Sequence, residues 1–297
     1  MARYRSDNLF QIILELSKVR ITIAVAFTTI TGYVLARNGY DAGFILPTLG
    51  IFFLACGSSV VNHLQEKKTD ARMARTSLRP FPLNKISTCQ ALTVAALEFI
   101  TGSVLLFFSA GLSALGLGWL AMFWYNVVYA SLKRRTPNAV IPGSVIGAIP
   151  PLVGWVSAGG TWNDPQALVM AVFFFVWQVP HFYLLAAKYG HEYEKAGLPS
   201  LTSRYTINQI RKIVFIWIVL TVLAAMGLSL TLQNSTWLST ALILVISVGL
   251  IIVFFPLARK YQESFRPEKY FMRINYYVLA VVLVLLANPM IQKLLQP

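Results

Sequence analysis

The sequence predicts an all-α integral membrane protein with nine transmembrane helices, and three observations carry that expectation. The 297 residues are 57% hydrophobic and only 12% charged, whereas about a quarter of a soluble domain is charged. Apolar stretches of spanning length lie near 19–36, 44–63, 88–109, 112–131, 140–158, 166–187, 212–231, 237–257 and 274–292. Of the 25 Lys and Arg, 23 fall in the N-terminal part up to Arg20 or in the loops around the ends of the second, fourth, sixth and eighth stretches. Only Arg37 and Lys293 lie on the other side. Helices are required because a lipid-exposed strand edge leaves amides unpaired, and no alternating barrel pattern is present. One domain, 1–297, is expected.

The net charge of +14 would fit a nucleic-acid partner, but its distribution is the positive-inside bias instead. It places the N-terminus in the cytoplasm and the C-terminus outside, and an odd number of spans agrees with that alternation. Membrane lipid, not nucleic acid, is the expected surround.

The first span comes after Arg3, Arg5, Lys18 and Arg20, and is long enough to cross rather than to be a cleavable leader. The second ends in the most informative residues of the chain, Asn62, Glu66 and Asp70. On an α-helix each four-residue step turns about 400°, so the three side chains share one drifting stripe. Two carboxylates and an amide on one face suit a hard divalent cation. Arg72, Arg75, Thr76, Arg79 and Pro80 come directly after, and arginines suit an anionic, phosphorylated ligand.

Glu98 stands in the third span, roughly 15 Å from its start, where a carboxyl is expected to be protonated or paired. The fourth span ends in Tyr129, Lys133, Arg134 and Arg135. The fifth holds Gly143, Gly147, Pro150, Pro151 and Gly154. Such breaks expose backbone polar groups, which a membrane tolerates where they line a cavity. Trp177, Gln178, Pro180 and His181 lie in the sixth. An intramembrane Gln and His mark a functional site by default, although a lone His is more often a packed residue. The inside connections after the second and sixth spans run about twenty residues and hold Glu66, Asp70, Glu192 and Glu194. Their symmetry fits two related halves meeting over one site. Cys56 and Cys89 read as small apolar fillers.

The stripe and its continuation, Asn62, Glu66, Asp70, Met73, Arg75, Thr76, Arg79 and Pro80, resemble in register the first aspartate-rich motif of the UbiA-type intramembrane prenyltransferases. More narrowly they resemble the protohaem IX farnesyltransferases (haem O synthases). Glu66 stands where bacterial members mostly have Asp. The Gly147-Ala148-Ile149-Pro150-Pro151-Leu152-Val153-Gly154-Trp155 and Trp177-Gln178-Val179-Pro180-His181-Phe182 strings are similar to those of the same family. So is the second acidic motif, Tyr189 to Pro199, in which His191 and Glu192 replace two aspartates and Ser200 and Thr202 depart from the pattern. The spacing from Thr136 to Asn138 is one residue short, so Asn138 is not carried over.

The resemblance implies a nine-helix bundle around a central cavity with its site at the cytoplasmic mouth. It implies transfer of a farnesyl group from farnesyl diphosphate to a vinyl group of haem b, with water addition, giving haem O and diphosphate. Mg2+ would be held by Asn62, Glu66, Asp70 and Glu192, with Arg75 and Lys133 completing the catalytic set. Lys18, Arg20, Arg79, Tyr129, Arg134, Trp177, Gln178, His181 and Tyr193 would bind substrates, and His181 or His63 would be the candidate iron ligand. Haem b is a substrate here and not a cofactor. Haem-modifying or terminal-oxidase assembly proteins are the further expected partners. Two alternatives stay open: an aromatic prenyltransferase of a quinone pathway, and an organic-anion transporter.

Overall fold

The computed structural model describes residues 8–259 and 265–295. Arg3, Arg5 and Lys260, three of the inside cations, lie outside the described residues. Among those described there is no β-strand. The short helix α1 (Leu9–Leu16) leads into α2 (Val19–Arg37), α3 (Ile45–Asp70) and α4 (Thr88–Phe123). After α4 come α5 (Val145–Ser157), α6 (Pro165–Lys195), α7 (Ile207–Thr231), α8 (Trp237–Phe254) and α9 (Pro267–Leu295).

Eight helical segments of the described residues are long and apolar enough to cross a membrane, against the nine stretches read from sequence. The difference lies in the segment Thr88–Lys133, 46 residues long. Its backbone leaves helical geometry at Ala110 and Gly111, where Gly111 has φ 59°, a left-handed value that glycine adopts freely. The chain reverses there. Trp119 Nε1 donates to Ser103 Oγ at 3.0 Å, and a Cβ on Gly118 would strike Leu106. The third and fourth stretches are therefore two antiparallel arms joined without a loop.

Two helices outrun their expected ends. α3 continues to Asp70 and α6 to Lys195, because Gln65-Glu66-Lys67-Lys68 and the residues after Lys188 contain good helix formers and no proline. The inside loops shrink accordingly, and the stripe of Asn62, Glu66 and Asp70 is helical throughout. α4 and α7 begin at reciprocal capping boxes, Ser87 with Gln90 and Thr206 with Gln209.

Close approach through small residues assembles the helices, since apolar area alone gives no preference for protein over lipid. A Cβ on Gly32 of α2 would fall on the Pro151 carbonyl oxygen, and one on Gly154 of α5 would fall on the Thr29 carbonyl oxygen. Gly102 of α4 meets the Gly50 carbonyl and the Leu54 amide of α3 in the same way. Elsewhere the bundle fills with large side chains: Phe173, Phe174, Ile218 and Phe254 are fully buried where α6 to α9 pack together. The two ends differ in chemistry. One carries most of the lysine and arginine side chains; the other is held chiefly by neutral and acidic groups, with Arg37 paired to Asp41 at 2.9 Å. At that second end Trp155 Nε1 donates to Asp164 at 2.8 Å, Tyr33 donates to Asp41 at 2.6 Å, and Thr236 N donates to Asn288 at 3.0 Å.

Gly154→Ala should lower stability in detergent by about 1–3 kcal/mol through overpacking of α5 on α2. Gly39→Ala, where a Cβ meets nothing within 4 Å, should shift it by less than about 0.5 kcal/mol. Chemical denaturation of the two purified variants checks the contrast.

Candidate functional site

A cavity of about 360 Å³ opens between α2, α3, α4, α5 and α6. Its inner end is apolar, lined by Val25, Ile51, Leu54 and Met122. Its mouth is charged. The long axis runs along α3 from Ile51 up to Asn62 and Glu66, so one helix supplies both the floor and the polar rim.

At the rim every charge from α3 meets a partner from another element. Lys133, in the last turn after α4, donates to Glu66 Oε1 at 2.6 Å. Arg79 donates to Asp70 Oδ2 at 2.8 Å, and Thr76 Oγ1 donates to the Asp70 carbonyl at 3.0 Å. Lys18 Nζ donates to Asn62 Oδ1 at 2.8 Å, and Tyr125 Oη donates to the same oxygen at 3.1 Å. Burial pushes the Lys18 ammonium down to about 8 against the pull of Glu66, with Arg79 and Lys133 adding to the fall. An arriving anion would oppose that shift.

Position within the fold decides which expected residues come together. Lys18, Asn62, Glu66, Arg75, Arg79, Tyr129, Lys133 and Gln178 all line the cavity. Asp70 sits one turn beyond Glu66, 1% exposed, with Oδ1 buried and without a hydrogen-bond partner. Glu192 is not gathered with Glu66 and Asp70: among the described residues no group of three or more His, Cys, Asp or Glu is placed to hold a metal. Its Oε2 accepts instead from the Arg75 backbone N–H at 3.1 Å, and the Arg75 guanidinium lies 4.5 Å from the Tyr189 ring. These contacts latch the 71–87 loop onto the last turns of α6. Tyr193 carries Lys133 over its ring at 5.6 Å. Arg134 turns away to donate to the Gln65 carbonyl at 2.8 Å. Arg20 is exposed. Glu194 accepts from Thr202 at 2.7 Å and lies 3.5 Å from His191.

The α6 string divides between two faces. Gln178 points into the cavity with its Oε1 buried and unpartnered, and a Cβ on Gly147 would collide with its amide. Trp177 and His181 face elsewhere. His181 packs against Phe271 of α9, with ring centroids 4.6 Å apart, and its Nδ1 lies 2.8 Å from Asn275 Oδ1. Asn275 donates its Nδ2–H to the Phe271 carbonyl at 2.7 Å. Its Oδ1 is thus the acceptor, so Nδ1 of His181 carries the proton and Nε2 is bare. His63 is 2% exposed, and neither ring nitrogen has a partner.

Sequence reasoning missed Tyr125 and gave no site role to Met73 and Phe182, which stand inside the motifs it quoted; all three line the cavity. Tyr125 stacks on Tyr129 with centroids 6.0 Å apart and planes 13° from parallel. A π-helical turn, Trp124–Tyr129, sets that register, and such turns cluster at functional sites. The only signal for Tyr125 in the sequence was its four-residue offset from Tyr129.

The donor set fits a small hard cation that is held together with a substrate. Mg2+ is bound through one or two carboxylates plus substrate phosphates and waters rather than by an all-protein cage. Glu66, Asp70 with its unpartnered Oδ1, and the Asn62 amide oxygen are donors of that kind.

A family model described as the UbiA prenyltransferase family matches residues 25–289. The chain is 34% identical over 269 residues to a protoheme IX farnesyltransferase of Neorickettsia sennetsu, covering 88% of this chain and 85% of that one. It is 35% identical over 185 residues to a protein of the same name from Oleidesulfovibrio alaskensis, covering 62% and 66%. In three dimensions it is similar to a digeranylgeranylglyceryl phosphate synthase, with TM-score 0.77, 19% identity and coverage of 95% and 98%. It is also similar to a UbiA homolog from Archaeoglobus fulgidus bound to GPP and Mg2+, with TM-score 0.70, 13% identity and coverage of 95% and 99%. At these identities the two solved structures speak for the fold alone. With a matched stretch that runs from the first membrane helix into the last, the chain belongs to the UbiA prenyltransferase family and is an integral, multi-pass membrane protein.

Proposed function

We propose that the protein is a protohaem IX farnesyltransferase, which joins the farnesyl group of farnesyl diphosphate to a vinyl carbon of haem b. The observation that carries the reading is one cavity with an acid-and-base mouth and an apolar floor. It matches an amphiphile with an anionic head and a hydrocarbon tail. The acceptor is inferred from the relatives named protoheme IX farnesyltransferase, one of which matches 88% of this chain. The Trp177-to-Phe182 string supports the same acceptor over a quinone-type ring.

The diphosphate occupies the mouth, where Lys18, Arg75, Arg79 and Lys133 present cations. Mg2+ would be held there by Asn62, Glu66 and Asp70, with Glu192 joining them on release of the Arg75 N–H, and would supply the further positive charge that makes diphosphate a leaving group. The allylic C–O bond breaks, its electron pair leaves with the diphosphate, and a farnesyl cation forms among apolar walls that exclude water. The stacked Tyr125 and Tyr129 rings offer π-density to that cation. The vinyl π-electrons then form the carbon–carbon bond. Water adds to the resulting cation and releases a proton, so haem b, farnesyl diphosphate and water give haem O and diphosphate. The mouth faces the cytoplasm, since the residues that line it belong to the basic end of the bundle.

Three measurements test this. Asp70→Asn and Glu66→Gln keep shape and remove charge, and turnover to haem O should fall roughly 10²–10⁴-fold. Chelation should abolish turnover, and added Mg2+ should restore it. Near-normal turnover of Asp70→Asn at saturating Mg2+ removes the ligand assignment. Single cysteines placed at Lys67, Arg134, Lys195 and Arg266 should react with impermeant reagents only from the cytoplasmic side. Labelling of any of them from outside alone inverts the orientation. Finally, His181 is bonded to Asn275 of α9 and not turned to the cavity, so His181→Ala should lower stability and leave farnesyl diphosphate binding intact. A shift of the bound haem's Soret band would mark the bare Nε2 as an iron ligand; wild-type conversion with an unchanged spectrum would take His181 out of the site.

A further inference from the structure

Two unfavourable features meet at the joint between α1 and α2. Lys18 has φ 47° and ψ 46°, in the left-handed region. The other non-glycine residues there, Asn38 and Asn84, are of a type that tolerates it; a lysine does not, and stays there only where its surroundings hold it. Immediately before it, Ser17 is 2% exposed, and its Oγ donates to Glu98 Oε1 at 2.8 Å, across 81 residues of sequence. Glu98 belongs to the first arm of α4, within a membrane-spanning segment, and its Oε2 is buried with no partner. One hydroxyl bond offsets only part of the unfavourable burial of a carboxyl in an apolar span.

The left-handed turn redirects the chain so that Lys18 Nζ reaches the cavity rim, 2.8 Å from Asn62 Oδ1 and 3.5 Å from Tyr125 Oη. A lysine has four side-chain torsions, and its head goes where the backbone aims it. We propose that Glu98 is a positioning residue: acting through Ser17, it clamps the α1–α2 joint and keeps the Lys18 ammonium aimed at the diphosphate end of the cavity. Glu98 does not line the cavity. It serves the site from behind, and the proposal rests on the reading of Lys18 as a diphosphate contact.

Steady-state kinetics with farnesyl diphosphate and haem b separate the possibilities, using Lys18→Met, Ser17→Ala, Glu98→Leu, Glu98→Gln and the doubles with Lys18→Met. Lys18→Met should raise KM for farnesyl diphosphate about tenfold, and Ser17→Ala and Glu98→Leu should each raise it about three- to tenfold with a smaller effect on kcat. Glu98→Gln should restore the wild-type KM, because the amide oxygen still accepts from Ser17. Each double should be no worse than Lys18→Met alone, as expected for residues acting through one another. Should Glu98→Leu fail to fold, Ser17→Ala, which deletes one oxygen, carries the test. Additive effects in the doubles, or an unchanged KM in Ser17→Ala, overturn the positioning role while the reading of Lys18 stands. An unchanged KM in Lys18→Met overturns both.

Discussion

The mouth of the cavity depends on one constraint: charges placed below a membrane surface must neutralise one another. Glu66 and Asp70 come from α3, Lys133 from the end of α4, Arg79 from the loop between them, and Lys18 from the start of α2. Three separate chain segments are thus tied to a single helical stripe. An isolated exposed pair is worth little, but each of these pairs is mostly buried, so removing one member leaves a charge without water or partner. The geometry of the rim and the stability of that end of the bundle are consequently the same problem. A ligand that carries its own negative charge and its own cation can replace these contacts without leaving any group bare.

The opposite wall solves a different problem. α5 carries Pro150 and Pro151 inside the helix, and α2 lies against it so closely that Gly32 and Gly154 admit no side chain. The Pro151 carbonyl is therefore covered by α2 backbone rather than by lipid. Gly147 leaves the space into which the Gln178 amide fits. The glycines and prolines that look like helix breakers act as spacing elements, setting how near α2 and α6 come to the cavity.

Legibility in the sequence was limited to the signals that local periodicity can carry. Asn62, Glu66 and Asp70 stood out because polar residues four apart in an apolar run have a fixed meaning on a helix, and the arginines behind them belong to the same stretch of chain. The family strings located α5 and α6. Rotational setting was not legible: Gln178 and His181 are three residues apart, yet one faces the cavity and the other faces Asn275 of α9, and only packing decides which. The π-helical turn that stacks Tyr125 on Tyr129 left no compositional trace. Nor could spacing reveal that the third and fourth apolar stretches would meet without a loop, since Ala110 and Gly111 differ little from other small residues in the span. Glu98 was visible as an anomaly, but its partner Ser17 lies 81 positions away.

The placement of Glu192 ties the 71–87 loop to the last turns of α6 in a way that the stripe alone does not. It receives the Arg75 backbone N–H, while the Arg75 guanidinium packs on Tyr189 and lines the cavity. Arg75 is therefore held at two points, by its amide and by a ring face. An arginine so restrained presents its donors to an anion with little entropy left to lose. The carboxylate of Glu192 also keeps negative charge beside the cationic rim without standing among Glu66 and Asp70. Drawing it toward a cation at the rim would require the 71–87 loop to move with it, because the same carboxylate anchors that loop. The second acidic motif, carried on the last turns of α6, thus sets where Arg75 and its loop lie at the cavity mouth.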